Sequence, residues 1–325
     1  MCDIEFDDSL SLKELKQIKG KISLGLCCIN NQLREQKNPV FCSRSLIRRT
    51  FTIEKAQQLA LQNVSDISKL IKWNVDNGID HLRLSSDMFP HINDPETSPY
   101  TLDFAKEALQ QAGECAKCYK HRITFHPGQY TVLSSNNENV LDQSFKDLQT
   151  HTDILDIMGI DDTGIVNIHG GGIYNDKEGT IRRWVDNFDD LPRSVKNRLS
   201  IENDERNYNI VDCIEIAEAC KIKFVLDSHH HDCYGLLHPE EKQYDIKDYM
   251  DQIINTWQGQ DPTFHVSEQR PNSRVGAHSD YVEAIPNYML RIPLDYNCRL
   301  HIELEAKQKE KSIQHLKQNY KTIFM

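Results

Sequence analysis

The sequence predicts an α/β chain folded as a closed (β/α)8 barrel, a TIM barrel, with a short N-terminal helical extension. Three observations predict it. Short apolar runs alternate with longer segments of helical periodicity eight times in succession, which implies parallel strand pairing. The 325 residues suit one eight-unit barrel. No G-x-G-x-x-G follows the first strand and no Walker A motif occurs, so the alternative architecture, an open doubly wound sheet, lacks its usual nucleotide-binding signatures.

The elements follow in order. Residues 1–20 begin acidic and turn helical, with Leu10, Leu12, Leu15 and Ile18 at helical spacing. They form an extension packed on the body, and residues 21–325 form the single barrel domain. Residues 22–26 alternate as a strand and 30–50 form a long polar loop. A helix runs over 52–76, with Thr52 as its N-cap. Strand 81–84 precedes helix 102–119, strand 122–125 precedes helix 139–158, and strand 164–168 precedes helix 178–197. Strand 199–201 leads to helix 210–220. Strand 223–226 leads into the polar run 227–232 and then a helix over 245–257. Strand 263–266 precedes a poorly defined helix near 280–291, and strand 300–304 precedes helix 307–320.

Composition narrows the function classes. A net charge of -11 argues against non-specific coating of nucleic acid but leaves room for a local basic groove. The ten cysteines are scattered; Cys115 and Cys118 form a lone C-x-x-C inside a helical pattern, with no second pair to complete a zinc knuckle. Free thiols and a reducing, intracellular setting are expected. The acidic start has no apolar signal-peptide core, no targeting address is recognisable, and no segment approaches a membrane span. The expected protein is soluble, in cytoplasm or nucleus.

Barrel enzymes act at the C-terminal ends of their strands. There this chain places His91 after strand two, His126-Pro-Gly-Gln129-Tyr130 after strand three and His169-Gly-Gly-Gly after strand four. Glu202-Asn-Asp-Glu follows strand five, and Asp227 with His229, His230 and His231 follows strand six. His265 and His278 follow strand seven, and Glu303-Leu-Glu305-Ala-Lys307 ends strand eight. Any one such histidine is more often a packed, hydrogen-bonded residue than a ligand. A full ring of imidazoles and carboxylates facing one cavity would repel and desolvate unless cations sat among them. Donors of this kind without thiolate suit Zn(II), Mn(II) or Fe(II). Their number calls for two or three ions, and multi-ion sites are typical of phosphoryl hydrolysis.

These pieces carry a family resemblance. Residues 24–30 (Leu-Gly-Leu-Cys-Cys-Ile-Asn), 83–91 (Arg-Leu-Ser-Ser-Asp-Met-Phe-Pro-His) and 126–130 (His-Pro-Gly-Gln-Tyr) resemble motifs of the UV damage endonuclease family. So do 167–171, 201–204, 226–230, 265–267, 277–280 and 305–310, in the family's order over roughly 21–315. The family is related to endonuclease IV among the xylose-isomerase-like barrels. The resemblance implies a metal-dependent DNA repair endonuclease that nicks duplex DNA 5′ to UV photoproducts, and abasic sites, leaving a 3′-hydroxyl and a 5′-phosphate. It implies two or three divalent ions, foremost Mn(II), with Zn(II) or another metal as the alternative. Glu202 would bridge two of them. His126 and His169 would hold one, Asp227, His265 and Glu305 the other, and His230 and His278 a third, with His91 nearby. Glu303 and Glu305 would point to the same face of their strand; the Glu-Ala-Lys match selects Glu305.

Glu202, His169 and Lys307 are the expected catalytic residues, with Lys307 adding positive charge. Gln129 and Tyr130 match residues that probe the lesion. Asn30, and Arg44 among the basic residues of the first loop, are expected to contact DNA. The expected partner is damaged double-stranded DNA, the expected state a monomer, and no membrane is expected. Two departures stand out: Thr263 replaces a lysine found in some members, and Leu26 replaces a tyrosine. His229 and His231 fall outside the match. The rival readings are an abasic-site endonuclease of endonuclease IV type, a sugar isomerase or epimerase on the same barrel, and a lesion-binding protein without catalysis.

Overall fold

The computed structural model describes residues 10–324; the acidic opening, residues 1–9, lies outside the described residues. Helix α1 (Leu12–Gln17) is set by a capping box between Ser11 and Glu14. Ile18 is buried, whereas Leu12 is exposed, so the expected apolar stripe is only partly used. Then follow β1 (Ile22–Cys27), α2 (Asn31–Arg34), α3 (Ile53–Asp76) and β2 (His81–Leu84). Next are α4 (Lys106–Cys118), β3 (Arg122–Phe125), α5 (Glu138–Met158), β4 (Val166–His169), α6 (Lys177–Asp189) and α7 (Arg193–Arg198). The second half holds β5 (Leu199–Glu202), α8 (Ile210–Cys220), β6 (Lys223–Val225), α9 (Ser228–Leu237) and α10 (Ile246–Asn255). It ends with β7 (Thr263–Val266), α11 (Asn287–Asp295), β8 (Leu300–Leu304), α12 (Glu310–Asn319) and α13 (Lys321–Phe324).

All strand pairs are parallel, in the order β6-β5-β4-β3-β2-β1-β8-β7. The ring closes between β6 and β7 through one bridge, Asp227 to His265, where the His265 N–H donates to the Leu226 carbonyl at 2.9 Å. The predicted barrel is therefore the observed fold. Alternate strand residues (Leu24, Leu82, Ile123, Ile168, Ile201, Phe224, Phe264, Ile302) are buried apolar side chains of the main core. The intervening positions are mostly polar and meet between neighbouring strands on the inner side of the barrel. Ser23 Oγ lies 2.6 Å from His301 Nδ1, His81 Nε2 3.0 Å from Thr124 Oγ1, and Ser200 donates to Asn167 at 3.0 Å.

Several local expectations need correction. The helix over 178–197 is two helices, α6 and α7, because Pro192 cannot continue the first and caps the second. The helix near 280–291 starts only after Pro286, as α11. The final long helix begins at Glu310, so Lys307 sits on the turn before it. The polar run after β6 is helical: Asp227 is the N-cap of α9, accepting from the His230 N–H at 2.8 Å, and the three histidines fill the first turn. The Thr52 cap forms as expected, accepting from the Lys55 N–H at 3.2 Å.

Candidate metal centre and nucleic-acid face

Glu202, the last residue of β5, is buried at the centre of the C-terminal rim. Its Oε2 is 3.1 Å from His126 Nε2 and 3.2 Å from His265 Nδ1; its Oε1 is 3.3 Å from His230 Nδ1. The Asn167 amide, two residues before His169 on β4, also donates to Glu202. The His169 ring lies 4.9 Å from that of His126 and 5.4 Å from that of His230, centroid to centroid. At this rim two groups have donor atoms within 4.8 Å of one another: His126, His169 and Glu202, and Glu202, Asp227 and His230.

The second group differs from the expected set. His230, one turn into α9, stands with Asp227 and Glu202. His265 Nδ1 reaches between Glu202 and Glu305, 3.7 Å from the latter. His278 Nδ1 is 3.5 Å from Glu305 Oε2, on the outer side.

The question between the two strand-eight glutamates resolves into two depths. Glu303 is buried one step below the rim. It accepts from Thr124 Oγ1 at 2.5 Å and lies 2.9 Å from His81 Nε2 and 3.0 Å from His265 Nε2. Glu305 faces the cluster and pairs with Arg83, whose guanidinium also reaches Glu303 at 3.3 Å. Sequence reasoning undervalued Glu303 and Arg83. The readable signal was the two-residue spacing of the glutamates, which puts both inside the barrel at successive levels.

Electrostatics follow from this packing. Burial disfavours charge on Glu202, but the imidazoles of His265 and His169 outweigh it and hold the carboxyl well below its ordinary range. Burial pushes His169 down to about 4, so it is neutral near pH 7. Burial also opposes protonation of His230 and His265. For His230 it is outweighed by Asp227 and Glu202, and for His265 by Glu202 and Glu303, and both rise well above the ordinary value. The carboxylates thus demand positive charge in their midst.

The donor set fits divalent cations. Asp227 Oδ2 and His169 Nδ1 are buried with no hydrogen-bond partner, which is costly for polar atoms of a protein interior. His126 Nδ1 lies 2.9 Å from the Pro127 carbonyl, so a proton held there would free the Nε2 lone pair for a cation beside Glu202. Gly170 lets the loop after β4 pass under Tyr208, since a Cβ there would stand 2.4 Å from the Tyr208 ring.

Three expected residues lie elsewhere. His91 does not join the cluster: its Nδ1 is 2.9 Å from Asp94 and its Nε2 2.6 Å from the Leu46 carbonyl, so both ring nitrogens already face protein acceptors. Arg44 does not reach out as a DNA contact. It pairs with Asp66 at 2.7 Å, donates to the Pro39 carbonyl at 2.7 Å and stacks over Phe41 at 4.0 Å. Asn30 is buried and caps α2, accepting from the Leu33 N–H at 2.9 Å. Local capping and pairing claimed these side chains, which spacing alone could not show. By contrast Gln129 and Tyr130 project from the loop after β3, and Tyr130 is 82% exposed. Lys307 is exposed on the same rim, in a concavity with His278. His229 is buried, 3.5 Å from the Cys233 sulfur, and its ring lies 5.8 Å from that of His278.

A (β/α)8 barrel with a histidine–carboxylate cluster at its C-terminal rim defines a class of barrel enzymes that work through such clusters. Within that class the chain is specific. It belongs to the UV-endonuclease family: the profile of UV-endonuclease UvdE matches residues 22–324. It is 38% identical over 301 residues to a putative UV-damage endonuclease of Acanthamoeba polyphaga mimivirus, covering 90% of this chain and 89% of that one. It is 36% identical over 320 residues to the UV-damage endonuclease of Schizosaccharomyces pombe (strain 972 / ATCC 24843), covering 94% of this chain but about half, 52%, of that protein. The crystal structure of SacUVDE superposes with a TM-score of 0.80 at 27% identity, covering 94% of this chain and all of that one. A D-tagatose 3-epimerase-like protein, at TM-score 0.55 and 13% identity over 92% of this chain and 96% of that one, shares the fold alone.

Proposed function

We propose that this enzyme nicks damaged duplex DNA immediately 5′ to UV photoproducts, and at abasic sites, leaving a 3′-hydroxyl and a 5′-phosphate, with two or three divalent cations, foremost Mn(II). One observation carries the reading. Eight expected ligands (His126, His169, Glu202, Asp227, His230, His265, His278 and Glu305) converge on one rim beside the exposed Gln129-Tyr130 pair, in a chain of the UV-endonuclease family.

When bound, the cations supply Lewis-acid charge to the phosphodiester and activate water. The chain's residues do the rest. Glu202 sits between the two candidate ligand groups and is common to both. Glu303 orients His265 by accepting from its Nε2, so that Nδ1 turns to the cluster. Arg83 holds Glu305 in place. Lys307 contributes charge toward the phosphate. Gln129 and Tyr130 enter the duplex at the lesion, where an amide and a ring fill the space left by extruded bases. The enzyme works as a monomer, inside the cell; no helix among the described residues is long and apolar enough to cross a membrane.

The test is incision of UV-irradiated against untreated plasmid, with Mn(II) and with chelator. Nicking that depends on both damage and metal is expected. Equal nicking of both plasmids, or nicking that survives chelation, refutes the proposal. Incision of a cyclobutane-dimer duplex as well as an abasic one separates it from a purely abasic-site endonuclease.

A further inference from the structure

The loop between β7 and α11 carries a feature outside the ligand ring. Residues 269–278 fold back as a hairpin, closed by an antiparallel bridge between Gln269 and His278 and by the Arg270 N–H donating to the Ala277 carbonyl at 2.7 Å. The Gln269 side chain ties its interior. Its amide donates to the Arg274 carbonyl at 2.9 Å, and its Oε1 accepts from the Gly276 N–H at 2.9 Å. The hairpin base is joined to the turn after β8, where the Lys307 N–H donates to the Ser279 carbonyl at 3.0 Å. An arm fixed in this way loses little conformational freedom on binding.

Between hairpin and turn lies an open concavity of about 490 Å³, lined by Arg270, Ser273, Arg274, Gly276, His278 and Lys307. No carboxylate lines it. Arg270, Arg274 and Lys307 are exposed, and none of them makes an ion pair among the described residues. His278 belongs to both the concavity and the ligand cluster. The basic surface therefore runs directly into the candidate reaction centre.

We propose that this concavity is a phosphate subsite that grips the DNA backbone next to the scissile linkage, with Arg270 and Arg274 as the contacting residues. The inference rests on the DNA-incision reading and adds a subsite that the ligand ring does not provide. Guanidinium forks match phosphate oxygens in charge and geometry. An acidic protein needs such a local site to hold a polyanion, and backbone contacts fix register without reading sequence. The hairpin would set the register that delivers the linkage to the cluster.

The experiment uses the Arg270→Ala/Arg274→Ala double variant and its Lys/Lys counterpart. Binding is read by anisotropy on a nicked, lesion-bearing duplex, which cannot be cut again, between 50 and 200 mM salt (about the range over which phosphate contacts show strongly). Incision kinetics run in parallel on the intact duplex. The Ala variant is expected to bind roughly tenfold or more weakly, with a salt slope smaller by about 1–2. Its KM should rise with kcat unchanged, and the Lys variant should recover the slope. A slope and affinity equal to wild type overturn the subsite, and so does a fall in kcat with unchanged binding. If wild type binds with a slope that the Ala variant reduces but does not nick, the subsite stands and the incision proposal fails. If wild type nicks and the slopes coincide, only the subsite fails.

Discussion

Replacing Glu303 with Gln should weaken cation binding although Glu303 is not expected to be a ligand. Glu303 Oε2 is 3.0 Å from His265 Nε2, in a fully buried setting. A carboxylate can only accept there, so Nε2 keeps its proton, and Nδ1, 3.2 Å from Glu202, is the nitrogen that would give up its own proton to hold a cation. A glutamine amide is isosteric but two-faced. If its NH2 turns to His265, Nε2 must accept, Nδ1 takes the proton, and the ring can no longer ligate from that side. If its oxygen turns to His265, the NH2 confronts His81 Nε2, 2.9 Å from the other carboxylate oxygen, and Thr124 Oγ1. Either arrangement also removes a charge that burial opposes but that His81 and His265 keep well below its ordinary pKa.

Loss of a partner that orients a ligating histidine typically costs about 10- to 100-fold in metal affinity, roughly 1.4–2.8 kcal/mol. We expect Mn(II) titration calorimetry of Glu303→Gln to show a loss in that range at the tightest site, with incision restored in part by excess Mn(II). Near-native circular dichroism establishes that the barrel persists. Unchanged Mn(II) affinity in a folded variant would refute the argument that Glu303 sets the His265 tautomer.

Four further outcomes are expected. His169→Ala should reduce incision on the order of a hundredfold or more, since losing a ligand costs at least as much as losing its support; single-turnover assays at saturating Mn(II) check it. Tyr130→Ala should leave the melting temperature unchanged, because the ring is exposed, yet reduce preference for damaged over undamaged duplex by about 10- to 100-fold, matching about 1–3 kcal/mol per stacked base. Gly113→Ala should destabilise by about 3 kcal/mol in urea unfolding, since its Cβ would stand 1.8 Å from the Met158 carbonyl oxygen where α4 crosses the end of α5. Burial lowers the pKa of His121 from 6.5 to about 3; the unfolded chain therefore binds the proton first on acidification, and stability is lost as pH falls below 6.5. Between pH 7 and 5 that loss is about 2 kcal/mol, and a His121→Gln variant should show a correspondingly flatter stability profile.

The fold was legible because its signal is periodic. Eight apolar runs each followed by a helical stretch admit few topologies, and parallel pairing follows from the crossover lengths. The convergence of His126, His169, Glu202, Asp227, His265 and Glu305 was legible for the same reason, since a residue at the end of a barrel strand has its position fixed by the strand. Residues away from strand ends were not. Asn30 and Arg44 sit where the chain turns, and local demand decided their roles: an open helix N-terminus took the Asn30 oxygen, and the buried Asp66 carboxylate took Arg44. His91 itself has a φ of 59°, and its ring lies toward Leu46 and Asp94. The run Ser228–His231 looked like a loop because polar residues in a first helical turn resemble a loop until Asp227 is recognised as the cap.

The interior of this barrel also explains how so charged a site can be stable. Each strand gives one face to the helices and one to the barrel axis. Along the helix-facing side Leu24, Leu82, Ile123, Ile168, Ile201, Phe224, Phe264 and Ile302 are buried against the outer layer and carry the hydrophobic stabilisation. The axis is thereby freed from apolar packing. It holds a graded polar column instead: Ser23 with His301 at the foot, His81, Thr124 and Glu303 at mid-height, and the Glu202 cluster at the rim. The buried Glu202 and Glu303 carboxylates are tolerated there because each is ringed by partners, Glu303 joining the middle level to the top through His265 and Arg83. A single neutral substitution in that column should therefore be felt at the rim, because the column orients the ligands as well as filling the barrel.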